Sequence, residues 1–183
     1  GARRGGSPAA LPPAFFSLAR DAARRALGLR PLDVQILAAI AMYEGRIVEM
    51  QTGEGKTLAA VLPAAFRALT GRGIHVLTFN DYLARRDAEW MGRLYTWLGL
   101  TVGLVGPHED DPELKRQAYA DDVTYGTHTE FGLHSLPDDI DLSRDRMPQR
   151  GPGSVIVDEL GASTIHHPRT PPLTPAPAAA DPK

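Results

Sequence analysis

The feature that most constrains the fold of this chain is a glycine-rich turn between a short β-branched segment and a helical one. Its residues are Thr52, Gly53, Glu54, Gly55, Lys56 and Thr57. Glycines in such a turn let backbone N–H groups curve around a phosphate at the positive end of a helix dipole. The strict phosphate-loop pattern begins with glycine, and here Met50 holds that place. The pattern predicts that ATP or a close relative binds at Met50–Thr57, with Lys56 reaching the β- and γ-phosphates and Thr57 holding Mg²⁺.

A second chemical signal is a pair of carboxylates at the end of an apolar segment. Val155, Ile156 and Val157 are followed directly by Asp158 and Glu159. A phosphate loop needs a nearby acidic site for magnesium and for the attacking water. We therefore expect Asp158 to hold the metal, through water, and Glu159 to polarise the attacking water. The alternative interpretation is a strand end whose acids only favour the start of the next helix.

Short β-branched segments alternate with longer helical patterns along the chain. Strands are predicted at Arg46–Met50, Ile74–Phe79, Thr101–Val105, Asp122–Tyr125 and Ser154–Asp158. Helices are predicted at Leu32–Tyr43, Lys56–Leu69, Tyr82–Leu98 and Pro112–Tyr119, the last with Asp111 as its N-cap. This alternation predicts an α/β fold with a parallel sheet and helices on both faces. Such sheets bind ligands beyond the carboxyl ends of their strands, where both motifs fall.

Composition divides the chain into three segments and disfavours some classes of partner. Residues 1–13 are rich in Gly, Ala, Arg and Pro and predict a flexible lead-in, residues 14–167 a nucleotide-binding domain, and residues 168–183 a disordered Pro/Ala-rich tail. Twenty basic and 22 acidic residues give a net charge of -2, which does not favour nucleic acid. The absence of cysteine excludes thiolate zinc sites and suits a reducing cytoplasm. Arg85, Arg86 and Arg93 are interpreted as a solvated helix face.

Four segments occur in an order that is typical of one family. They are Leu27–Gln35, the loop Thr52–Thr57, Phe79–Asp87 and Val123–Thr127. Together they closely resemble the SecA family, the bacterial preprotein translocase ATPases. The similarity runs from about Ala19 to Thr170, and its most specific part is Gly45–Gly99.

The resemblance implies a particular fold and set of roles. The fold would be the first RecA-like nucleotide-binding domain of a motor that threads unfolded preproteins through the SecYEG channel, with ATP and Mg²⁺ as its ligands. Gln35 would correspond to the glutamine that recognises adenine, and Asp158 and Glu159 to the magnesium and catalytic pair of a DEAD-like motif. The location would be cytoplasmic, peripheral at the inner face of the bacterial cell membrane, whose anionic surface would be a further partner. No nucleic acid partner is expected.

The chain also departs from that family. Where the family reads Asp-Glu-Val-Asp, this sequence has Asp158-Glu159-Leu160-Gly161, and it stops where the family would enter its preprotein-crosslinking domain. We therefore expect a truncated or degenerate form with little or no turnover of its own. Two alternatives stay open. One is a nucleotide-binding module without turnover, and the other is a superfamily 2 helicase domain, which shares the RecA core and the acidic motif.

Overall fold

Four parallel strands form a sheet in the part of this chain that the structure describes. The structure, a computed structural model, describes residues 11–71, 73–106, 111–132 and 153–159. In chain order the strands are β1 (Ile74–Thr78), β2 (Val102–Leu104), β3 (Val123–Thr127) and β4 (Ser154–Val157). They lie in the order β2-β3-β1-β4, and every neighbouring pair is parallel. The predicted α/β fold with a parallel sheet is confirmed.

Helices connect and cover these strands in the described part of the chain. They include α1 (Leu11–Leu27), α2 (Asp33–Tyr43), α3 (Lys56–Ala68), α4 (Asp81–Trp97) and α5 (Pro112–Ala120), and residues 128–132, directly after β3, are helical as well. The Asp111 side chain accepts a hydrogen bond from the Glu113 N–H at 2.8 Å, so the predicted N-cap of α5 is confirmed. Asn80 caps α4 in the same way, accepting from the Leu83 N–H at 2.9 Å.

Helix α1 was not expected from the sequence. It starts at Leu11, so its first three residues belong to the segment that was predicted to be a lead-in. Its apolar residues recur at helical spacing, and Phe16, Ala19 and Ala23 are all buried against the rest of the core. The first ten residues, and the predicted tail at 168–183, lie outside the described residues.

Alternate side chains of β1 face two separate cores. Ile74 and Val76 pack into the larger core together with buried residues of α1, α3, α4 and β3. His75, between them, faces the other side and stacks on Phe131, with ring centroids 4.5 Å apart. Tyr119 of α5 belongs to this smaller cluster as well. Both faces of the sheet are therefore covered by helices, as the alternation of elements predicted.

The predicted strand at Arg46–Met50 is wrong. This segment has no regular secondary structure, and no strand among the described residues pairs with it. A strand exists only as part of a hydrogen-bonded ladder, so β-branched residues without a neighbouring ladder do not make one. Among the described strands β4 lies at the edge of the sheet, and its Val155 and Val157 are 50% and 40% exposed.

Among the described residues, no helix is both long and apolar enough to cross a bilayer.

The larger core contributes most of the stability of the fold, and substitutions at two leucines test this assignment. Leu62 on α3 is fully buried, whereas Leu18 on α1 is 70% exposed. Leu62→Ala should lower the free energy of unfolding by about 2–5 kcal/mol, because it removes buried methyl groups and leaves a cavity. Leu18→Ala makes the same chemical change in a helix and should cost less than about 0.5 kcal/mol. Urea denaturation of both variants measures the difference; equal losses would contradict the core assignment.

Candidate functional site

The glycine-rich loop has a backbone that only glycine adopts easily. Gly53 and Gly55 have φ angles of +89° and +82°, in the left-handed region. Gly55 is the N-cap of α3, so Lys56 and Thr57 are the first two residues of this helix. The Glu54 carboxylate accepts a hydrogen bond from the Gln51 N–H at 2.8 Å, which closes the loop on itself. The loop thus leads directly to the positive end of a 13-residue helix dipole.

Gln35 fastens this loop to the preceding helix. Its side-chain oxygen accepts from the Leu32 N–H at 2.8 Å, and its Nε2 donates to the Glu54 carbonyl at 2.7 Å. The residue is 7% exposed, and a Cβ atom on Gly55 would lie 2.3 Å from Nε2. An amide can make up to about four hydrogen bonds, so two remain for another partner. The structure thus gives Gln35 a role in positioning the loop, while its contact with adenine stays a prediction.

The acidic pair lies beside the loop lysine. The Asp158 N–H donates to the Leu77 carbonyl at 2.8 Å, which extends the β1–β4 pairing by one residue and fixes where the chain leaves the sheet. The Lys56 Nζ lies 3.0 Å from the Glu159 Oε1. The structure therefore brings together three of the predicted site residues, although Lys56 and Glu159 are 103 positions apart in the sequence (159 − 56).

The backbone of Glu159 is unusual. Its φ angle is +60°, and among the described residues it is the one non-glycine with a positive φ. Its N–H donates to the Asp158 Oδ1 at 3.0 Å, so the two acids are also joined to each other.

Burial and charge shift the protonation of this site. Burial raises the pKa of Asp158, and the neighbouring Glu159 charge adds to this effect, while the Lys56 and Arg86 charges oppose it. The hydrogen bond from Lys56 to Glu159 raises the pKa of the lysine. The Lys56 ammonium therefore stays charged at neutral pH, as a phosphate site requires.

A cavity of about 300 Å³ lies between β4 and the irregular segment Arg46–Met50. Arg46, Lys56, Asp158 and Glu159 are its charged lining residues, and the rest of its lining is mostly apolar. The other lining residues are Met42, Gly45, Ile47, Val48, Met50, Ala60, Val155, Ile156 and Val157. The cavity lies where Arg46–Met50 runs beside β4 without pairing with it.

The sequence interpretation missed one ion pair near this site. The Arg86 guanidinium holds the Asp87 Oδ1 through Nη2 at 2.7 Å and Nε at 2.8 Å. Asp87 is 1% exposed, and burial raises its pKa. Because the Arg86 charge also acts on Asp158, Arg86 belongs to the electrostatic surroundings of the site and is more than a solvated helix residue. The available signal was its position shortly after β1, at the carboxyl end of a parallel strand.

Two of the predicted site residues have side chains that could bind a metal ion. Thr57 offers a hydroxyl and Asp158 a carboxylate, both of which are oxygen donors of the kind that Mg²⁺ prefers. Within the described ranges no group of three or more His, Cys, Asp or Glu side chains could hold a metal ion. Mg²⁺ keeps several waters and binds through one or two protein oxygens plus substrate phosphates.

The arrangement is that of a RecA-like P-loop domain. It combines a parallel sheet that has helices on both faces, a glycine-rich loop at the start of a helix and an acidic pair directly after β4. Comparison with known families narrows the class. The chain belongs to the SecA DEAD-like domain family, whose match covers residues 2–181. This range extends beyond the predicted domain limits of 14 and 167 at both ends.

Individual relatives agree with the family assignment. The chain is 49% identical to the protein translocase subunit SecA of Oleidesulfovibrio alaskensis and 52% identical to that of Carboxydothermus hydrogenoformans. It is also 52% identical to protein translocase subunit SecA 2 of Streptomyces avermitilis. Each alignment covers 92% of this chain but only 18–19% of the relative. The chain thus spans about a fifth of the length of the curated relatives it matches.

The two loop glycines provide a matched test of the Gln35 contact. Both have a positive φ, so Ala at either position should cost about 1–2 kcal/mol of stability. A Cβ on Gly53 meets nothing within 4 Å, whereas one on Gly55 meets Gln35. Gly55→Ala should therefore destabilise the protein more than Gly53→Ala in thermal unfolding. The excess should shrink in a Gln35→Ala background, and an excess that persists there would contradict the proposed contact.

Proposed function

We propose that this chain is the ATP-binding portion of a SecA-type protein translocase motor that couples ATP hydrolysis to preprotein export. The observation that carries the proposal is the 3.0 Å approach of Lys56 to Glu159, which unites the glycine-rich loop with the acidic pair. Neither motif alone would suffice, because phosphoryl transfer needs both a phosphate cradle and a group that positions the nucleophile.

Binding would use the loop and the start of α3. The loop N–H groups and the α3 dipole would receive the phosphates, with Lys56 as the cation closest to them. Thr57 and Asp158 would hold Mg²⁺, which when bound neutralises charge on the phosphates. Gln35, already fixed against the loop, would use its remaining hydrogen-bonding capacity on adenine.

Hydrolysis would use Glu159 as the group that orients the attacking water and accepts its proton. The water oxygen attacks the γ-phosphorus, the bond from that phosphorus to the bridging oxygen breaks, and ADP leaves with that oxygen. Lys56 stabilises the charge that gathers on the phosphoryl oxygens. For this step Glu159 would have to leave its ion pair with Lys56.

The proposed partners follow from the relatives' names. Since these proteins are protein translocase subunits, we propose unfolded preproteins and the SecYEG channel as partners of the protein to which this domain contributes. We also propose a peripheral position on the anionic inner face of the bacterial cell membrane. The net charge of -2 gives no support to a nucleic acid partner.

A second candidate function is nucleotide binding without turnover. Two observations favour it. The Glu159 carboxylate is already engaged by Lys56, and glycine stands at position 161, where the family has the second aspartate of its acidic motif.

The role of Lys56 can be tested by calorimetry with Mg-ATP. Lys56→Ala should remove measurable affinity, because no other cation of the loop can reach the β- and γ-phosphates. Lys115→Ala is the matched control: it lies on α5, which packs on β2 at the sheet edge opposite β4. It should bind as the parent does. If Lys56→Ala also binds like the parent, the phosphate-loop assignment is wrong.

Turnover separates the two candidate functions. RecA-like sites are commonly completed by an arginine from another domain, which is worth about 10³- to 10⁵-fold in rate. Arg86 does not supply this group, because its guanidinium is held by Asp87. The 183-residue chain should therefore release phosphate barely above background, beside Glu159→Gln as the inactive reference. Turnover of roughly one or more per second, abolished by Glu159→Gln, would instead show a self-sufficient ATPase.

A further inference from the structure

We propose that Glu159 is an internal ligand of Lys56 that the phosphates of the nucleotide must displace, so that phosphate binding itself frees Glu159 to act on water. This inference rests on the proposed function and adds a regulatory contact to the same site. It makes Glu159 a residue with two alternative partners, Lys56 before displacement and water after it.

Glu159 and the nucleotide phosphates would compete for one cation. Lys56 is the lysine of the loop, and its Nζ lies 3.0 Å from the Glu159 Oε1. An ammonium has three donors, so hydrogen-bonding capacity alone would allow both partners. However, a carboxylate left at this distance would face the phosphate oxygens across a few ångströms, and like charges that close repel each other strongly. Phosphates that reach Lys56 would therefore expel Glu159.

The backbone conformation of Glu159 also favours its displacement. A φ of +60° is a conformation that a residue with a side chain rarely adopts, and an opposing contact is needed to hold it. The ion pair with Lys56 is one such contact, and the hydrogen bond from the Glu159 N–H to the Asp158 Oδ1 is another. Once the phosphates take the ammonium, the first of these contacts is lost, which favours the return of Glu159 to an ordinary backbone conformation and would swing its carboxylate away from Lys56.

The displacement of Glu159 would also affect Asp158. The Glu159 N–H donates to the Asp158 Oδ1 at 3.0 Å, so a change in the Glu159 backbone also changes what this oxygen accepts. The proposed metal oxygen and the proposed water-activating group would then be released by the same event. Binding and activation would be coupled through two adjacent residues.

The affinity of the chain for ADP in the absence of Mg²⁺ tests the proposal. Both side chains of the pair are partly exposed, at 32% and 43%, so the pair is weak and the gain from removing it is modest. Glu159→Gln should bind ADP about two- to fivefold tighter than the parent in calorimetry. Asp158→Asn controls for general repulsion, since it removes one neighbouring negative charge without removing the partner of Lys56. Its gain should be clearly smaller.

A second, spectroscopic experiment measures the ion pair of Lys56 and Glu159 directly. The chain has three lysines, Lys56, Lys115 and Lys183, so ¹³C-dimethylation gives few lysine signals. At fixed pH, Glu159→Gln and saturating ADP should each shift the Lys56 methyl signal, while the Lys115 signal stays unchanged. Circular dichroism checks that each variant is folded, and Glu159→Ala serves if Glu159→Gln is not.

The outcomes separate this inference from the proposed function. If the parent binds ADP and Glu159→Gln gains no more than Asp158→Asn, the internal ligand is refuted and nucleotide binding stands. An unshifted Lys56 signal in Glu159→Gln refutes it as well. If neither the parent nor any variant binds ADP, the proposed function fails, and the displacement fails with it because nothing displaces Glu159.

Discussion

The pairing of β1 with β4 is the constraint on which the rest of the site depends. The two strands are parallel and in register, with Leu77 opposite Val157. One further hydrogen bond, from the Asp158 N–H to the Leu77 carbonyl, carries this register to the end of the strand. A shift of one residue would turn the side chains of β4 to the opposite face. Ile156 would then leave the larger core, and the acidic pair would leave the carboxyl edge of the sheet.

The loop side of the site is fixed in a different way. Lys56 is held by α3, whose buried residues Val61, Leu62 and Ala65 pack into the same core that receives Ile74 of β1. The loop before α3 has no ladder to support it, because the segment preceding it pairs with no described strand. The Gln35 amide supplies that support by binding the Glu54 carbonyl. One half of the site is thus held by a sheet and the other half by a helix and a single buried side chain.

Much of the fold followed from the sequence, for identifiable reasons. The four strands were predicted because each is a short β-branched run bounded by helical patterns, and α5 because Asp111 and Pro112 form a standard helix start. Helix α1 was missed because residues 1–13 resemble a flexible lead-in in composition and no element was predicted between them and Leu32, although Phe16, Ala19 and Ala23 already had helical spacing. Composition is a weaker signal than periodicity when a helix packs on a core.

The remaining differences concern interactions between distant parts of the chain. The strand predicted at Arg46–Met50 failed because a ladder partner is a tertiary property that local propensity does not contain. The motifs predicted which residues would form the site, but the 3.0 Å contact between Lys56 and Glu159 depends on the register of β4. The positive φ of Glu159 could not be predicted from the sequence, because a positive φ is usually indicated by glycine.

The charge balance of the site explains why these distant contacts matter for ligand binding. Lys56 and Arg86 carry positive charge, and Asp87, Asp158 and Glu159 are acidic, so the positive charges already have acidic partners before a ligand arrives. The raised pKa of Asp158 shows that burial and neighbouring negative charge already disfavour its ionised form. Phosphates add further negative charge, which the protein can accommodate in two ways. A bound cation can neutralise the added charge, or an acidic side chain can move away from Lys56. Asp158 is suited to holding such a cation, because its N–H is hydrogen-bonded to the Leu77 carbonyl and its backbone is fixed. Glu159 is suited to moving away, because it lies beyond the last hydrogen bond between β1 and β4.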